Sequence, residues 1–75
     1  MILPTKHIPT PNSLLAVGAL VLEELRRPQT LTALWDRLRE VPEVATFSRL
    51  VLAVDMLYLL DAIVYDDGLL RRKGP

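Results

Sequence analysis

Residues 46–72 read TFSRLVLAVDMLYLLDAIVYDDGLLRR, and they leave few folds open. An apolar run at helical spacing leads, with no linker, into two short β-prone segments around a turn. Thr46 can cap the helix by accepting a bond from a free N–H of its first turn. On a helical wheel over 47–60, Phe47, Leu50, Val51, Val54 and Leu57 share one face and should meet a core. The opposite face holds Ser48, Arg49, Leu52, Asp55, Met56 and Leu59. That face should be wet in a monomer, yet half of it is apolar. Asp61 stands where helices commonly stop in left-handed geometry, which Gly prefers and Asp tolerates. Ala62 to Tyr65 then pairs with Leu69 to Arg72 around Asp66-Asp67-Gly68, and Asp-Gly is a favoured pair for a tight hairpin.

The size of the chain makes the apolar excess informative. Its 75 residues make one small domain, and 51% of them are hydrophobic. A chain this short buries only about 60% of its unfolded surface. It has too little interior to hide so much apolar surface, so some of it should face another protein. There is no cysteine, hence no disulfide and no thiolate metal site, a composition that suits a reducing cytoplasm.

Upstream, residues 1–11 read MILPTKHIPTP and form an extended arm. Pro4, Pro9 and Pro11 each remove a backbone donor and push the preceding residue toward extended geometry. Ile2, Leu3 and Ile8 can dock the arm on the domain or on a partner. The segment lacks a basic region followed by an apolar one, so it is not a signal peptide. A first helix is expected over 13–26, capped by Asn12 or Ser13. Its core stripe would be Leu14, Val17, Val21 and Leu25, widened by Leu15 and Leu22, and Pro28 would end it. Gly18 costs this helix about 1 kcal/mol relative to Ala, which a close helix crossing would explain. Gln29 to Leu31 is a short extended link with one or two strand residues. Thr32 would cap a second helix over 33–40, with Leu31, Leu34, Trp35 and Leu38 facing the core. Trp35 would anchor the packing. Pro42 lies in the connecting turn.

Helix, extended link, helix, turn, helix and hairpin, in that order, resemble the winged-helix arrangement. The expected fold class is therefore mainly α with a C-terminal β-hairpin, winged-helix-like, with three helices plus the wing. The layout is an arm over 1–11, the domain over 12–73 and a frayed tail over 74–75. The segments MILPTKHI, SLLAVGALVLEEL, LTALWDRL, FSRLVLAVDMLYLL and DGLLRR carry a narrower resemblance. They look like the middle component (type six) of bacterial ABC three-component systems, a class that includes Lamassu-like defence systems. The resemblance implies a small accessory or adaptor subunit. Its partners would be an SMC/Rad50-like ABC ATPase and an effector, commonly a nuclease, in anti-phage or anti-plasmid defence. It supplies no catalytic motif to carry over.

The residues themselves point to binding rather than chemistry. Nine basic and nine acidic side chains cancel, with no basic stripe apart from Arg71, Arg72 and Lys73. His7 is the only histidine and has no neighbouring ligands or orienting base. Asp66 and Asp67 precede a Gly and read as a turn, not a calcium loop. Ser13 and Ser48 read as cap or first-turn residues, and no Gly-rich loop cradles a phosphate. No catalytic residue, cofactor or metal is expected, and no run reaches the roughly 18 apolar residues a membrane span requires. Leu52, Met56 and Leu59 form the expected protein-binding stripe, joined by Arg49 and by Ile2, Leu3 and Ile8 of the arm. Met suits such an adaptable surface.

The competing reading is a small winged-helix DNA-binding regulator. A recognition helix needs side chains that reach base edges. This one offers Ser48 and Arg49, then three apolar side chains and Asp55, which would repel phosphate. Contact with DNA would be auxiliary and fall to Arg49, Arg71, Arg72 and Lys73. A homodimer through the same stripe is a third option.

Overall fold

The computed structural model describes residues 11–74, and the three helices and hairpin expected from the sequence are present. Helix α1 spans Pro11–Glu24, α2 spans Leu31–Leu38 and α3 spans Phe47–Leu59. Strands β1, Ile63–Asp66, and β2, Leu69–Arg72, form an antiparallel pair.

Helix α1 begins earlier than its spacing suggests. Pro11 is its first residue rather than the end of the arm. Proline is well suited to that position, because the N–H it lacks would have no partner inside the helix. Asn12 and Ser13 consequently lie within the first turn and do not precede the helix. Val17, Val21 and Leu25 are buried as expected, whereas Leu15 is exposed. The chain leaves α1 at Pro28, and the Gln29 side-chain amide donates to the Glu24 carbonyl, satisfying one of the helix's last free acceptors.

The extended link forms a one-residue strand. Gln29 N–H donates to Leu70 O at 2.9 Å, and Leu70 N–H returns a bond to Gln29 O at 2.7 Å. The hairpin is thereby pinned to the chain between α1 and α2. Thr30, not Thr32, caps α2: its Oγ1 accepts from Ala33 N–H at 3.1 Å. The helix starts two residues sooner than expected and stops two sooner. Leu34 and Leu38 are buried, while Leu31 and Trp35 are half-buried against the same core. Trp35 meets Phe47 edge-on at 5.5 Å between ring centroids, and the Arg39 guanidinium lies 5.9 Å from its ring centroid.

The turn between α2 and α3 is shaped by Val44, which is fully buried. Ala45 follows in left-handed geometry, at φ 65°. Thr46 caps α3 as expected, accepting from Arg49 N–H at 3.1 Å. Leu50, Ala53, Val54 and Leu57 are the buried face of α3. Two expected members fall short of burial. Val51 is half-buried, and Phe47, at the very start of the helix, overhangs the rim of the core and is 45% exposed.

The end of α3 is a paired stop. Asp61 adopts φ 66°, its N–H donates to Tyr58 O at 3.0 Å, and Ala62 N–H donates to Leu57 O at 2.8 Å. This is the Schellman pairing, with Asp where Gly is commoner. Strand β1 starts at Ile63 rather than Ala62, and its register pairs Ile63 with Arg72 and Asp66 with Leu69. The loop is therefore the two residues Asp67 and Gly68, at φ 55° and 80°. Positive φ at both positions is the type I′ geometry, whose twist matches that of the strands. Ile63 and Leu70 turn inward and close the core.

Candidate interaction surfaces

Helix α3 presents the expected outward side chains, but they do not form one stripe. Leu52 is 47% exposed and Leu59 is 83% exposed. Met56 lies between them in sequence and is only half-buried; it packs against the core. A Cβ built on Gly18 would lie 3.1 Å from Met56 Cε, so the methionine tip rests directly over that glycine. The crossing of α1 and α3 at Gly18 thus exists, and Met56 is engaged in it. The stripe expected at Leu52, Met56 and Leu59 is thereby split: its outer residues remain available, and its middle one serves the fold.

Arg49 is also engaged within the chain. Its Nη1 donates to Glu43 O at 3.2 Å while its backbone N–H serves the Thr46 cap. The side chain fastens the preceding turn to α3. Ile2, Leu3, Ile8 and His7 lie outside the described residues.

The structure adds apolar surface that the helical wheel alone does not indicate. Tyr58, Leu60 and Tyr65 are all exposed, at 57%, 65% and 64%, around the end of α3 and the hairpin. Leu31, Val54, Asp55, Tyr58, Tyr65 and Leu70 line a groove of about 220 Å³. Its lining is three aliphatic side chains, two tyrosines and one carboxylate. The Asp55 carboxylate has no hydrogen-bond or ion-pair partner among the described residues. The signal for Tyr58 is present in the sequence, three residues beyond Asp55, but Tyr65 joins it only once the hairpin folds back.

The basic C-terminal segment is divided as well. Lys73 Nζ lies 2.5 Å from Asp61 Oδ2, and its backbone N–H donates to Ala62 O at 2.9 Å. Lys73 therefore closes the stop after α3. Arg71 Nε is 3.8 Å from Asp66 Oδ2, with both side chains largely exposed, a pair of little energetic weight. Arg72 makes no ion pair among the described residues. Arg71 and Arg72 line an open hollow with Arg26 and Arg27 from the end of α1, a convergence the sequence does not display.

Among the described residues there is no group of three or more His, Cys, Asp or Glu side chains placed to hold a metal ion. No described helix is long and apolar enough to cross a membrane. The features available for function are an apolar face on α3 and the hairpin, and a cluster of arginines at the hairpin base.

A family model described as the ABC-three component (ABC-3C) system middle component 6 matches residues 3–73. No curated protein and no solved structure matches the chain.

Proposed function

We propose that this chain, which belongs to the middle component 6 family of ABC-three component systems, is a non-catalytic adaptor that binds its system's other subunits. The partners in this reading are an SMC/Rad50-like ABC ATPase and an effector nuclease. The setting is a Lamassu-like anti-phage or anti-plasmid system in the cytoplasm. The winged-helix-like domain works by occupancy: it fills complementary surfaces on larger proteins and holds them together.

The observation that carries this reading is the chemistry of the outer face of α3. In a DNA-reading winged helix that face carries groups able to bond base edges. Here it carries Leu52, Asp55, Tyr58 and Leu59, with Leu60 and Tyr65 beside them. Aliphatic and tyrosine side chains around a groove suit the buried centre of a protein interface. A domain that is one component of a multi-component system has a use for such a face. The same side chains argue against a base-reading regulator, since Asp55 would repel phosphate.

The test is to read the neighbouring genes and to co-express the chain with any SMC/Rad50-like ATPase and effector that they encode. The wild-type chain should co-purify with one or both. Leu52→Asp combined with Leu59→Asp should abolish co-purification while leaving the far-ultraviolet circular dichroism unchanged, because both residues are exposed. A complex that survives the double substitution would remove this face as the interface. Absence of any complex with the wild-type chain would defeat the adaptor reading.

A further inference from the structure

Four arginines line one open hollow beside the base of the hairpin. Arg26 and Arg27 follow the last residue of α1, and Arg71 and Arg72 end β2. With Leu25, Pro28 and Gly74 they line an open hollow of about 410 Å³. The two pairs are distant in sequence and are brought together by the Gln29–Leu70 hydrogen bonds, which fix the exit of α1 against β2.

The charge in this hollow is poorly compensated. No carboxylate is among its described lining residues. Arg26 and Arg27 also border the neighbouring hollow, which holds Glu23 and Glu24, and Glu24 is paired there with Arg37 at 3.5 Å. Arg71 has its loose exposed pair with Asp66, while Arg26, Arg27 and Arg72 have no ion-pair partner among the described residues. The C-terminal end of α1 carries partial negative charge, which favours Arg26 and Arg27 at that position. Nothing similar serves Arg72. In a chain of zero formal net charge, this is a local excess of cations, not a general one.

We propose that this hollow binds the phosphodiester backbone of a nucleic acid, without reading its sequence. The observation is the juxtaposition of Arg26, Arg27, Arg71 and Arg72 around an open hollow with no carboxylate among its described lining residues. Guanidinium groups suit this ligand because their planar forks match phosphate oxygens two at a time. Asp67 lies at the opposite end of the hairpin, and of the acidic tip only Asp66 reaches the site, at 3.8 Å from Arg71. Lys73 is excluded from the site, since its ammonium is held on Asp61. The inference is independent of the adaptor reading, because it concerns another surface and needs no partner subunit.

The experiment is fluorescence anisotropy of the full chain with labelled 20-mers, duplex and single-stranded, at salt concentrations from about 50 to 200 mM. Binding should be of the non-specific class, tighter than about 100 µM at low salt, and equal for unrelated sequences. Three or four phosphate contacts predict a log–log salt slope near −3. Arg26→Gln with Arg27→Gln should weaken binding at least about fivefold and flatten the slope by about two; Arg72→Gln should flatten it by about one. Lys73→Gln should change affinity less than about twofold. Whichever oligonucleotide binds more tightly names the form of nucleic acid. Wild-type affinity in the Arg26/Arg27 variant would overturn the proposal, as would a dominant effect of Lys73 or no binding by the wild-type chain at low salt. All four arginines are exposed, and circular dichroism checks that the variants are folded.

Discussion

A Cβ added at Gly18 would meet Met56 Cε at 3.1 Å and Leu57 Cδ2 at 3.5 Å. The first contact is with the end of a flexible side chain, which can move by a few tenths of an ångström. Gly18→Ala should therefore be neutral or stabilise the chain by up to about 1 kcal/mol, the helix-propensity difference. Gly18→Leu should instead cost about 1–3 kcal/mol by overpacking the crossing. Urea denaturation of both variants checks this, and a tolerated leucine would mean the helices are not closely apposed. Ala45 offers the converse case, a non-glycine residue at φ 65°. Ala45→Gly should relieve strain and be neutral or stabilising by about 1 kcal/mol, since the greater freedom of glycine in the unfolded chain offsets part of the gain. At this scale the sequence is readable where a residue's role is local. Thr46 and Asp61 stand where their cap and stop chemistry puts them. Met56 is not readable, because a helical wheel describes one helix alone and cannot know that a glycine opposite opens room for it.

The elements are legible as kinds and less so at their edges. The expected cap is Thr32 and the observed one is Thr30, whose extended backbone, at φ −75° and ψ 161°, lets its Oγ1 accept from Ala33 N–H. Thr30→Ala should cost about 1 kcal/mol of stability while Thr32→Ala costs a few tenths at most. A larger effect at Thr32 would contradict the cap. The hairpin is the most completely foreshadowed element, since an Asp-Gly pair between β-prone segments specifies a two-residue type I′ loop. Nothing lies within 4 Å of a Cβ built on Gly68, so only its φ of 80° resists substitution. Gly68→Ala should then destabilise by about 1 kcal/mol through backbone strain alone, read as a lowered urea midpoint with unchanged slope.

Across the whole molecule, two candidate surfaces are present. The apolar face follows from α3 itself, so much of it is visible in the order of residues. The arginine hollow does not, because Arg26 and Arg27 look like a solvated helix end until the link after α1 is stitched to β2. The two surfaces should be separable. Leu52→Asp with Leu59→Asp should lose co-purification yet keep wild-type nucleic-acid affinity, and the Arg26/Arg27 variant should do the reverse. Joint loss in either variant would mean that the surfaces act as one. Separation also requires an intact core, which is thin in a domain this small. Leu34 is fully buried, and Leu34→Ala should cost about 2–5 kcal/mol, a large share of the roughly 5–15 kcal/mol that holds an ordinary domain folded.

The reciprocal bonds between Gln29 and Leu70 have a mechanical consequence. They tie the hairpin to the chain between α1 and α2, so that a swing of β2 would break two hydrogen bonds at once. Any force that a bound subunit applied to Tyr65 would then be transmitted to the segment following Arg27. In native-state hydrogen exchange, the amide protons of Gln29 and Leu70 should exchange together, through one opening event.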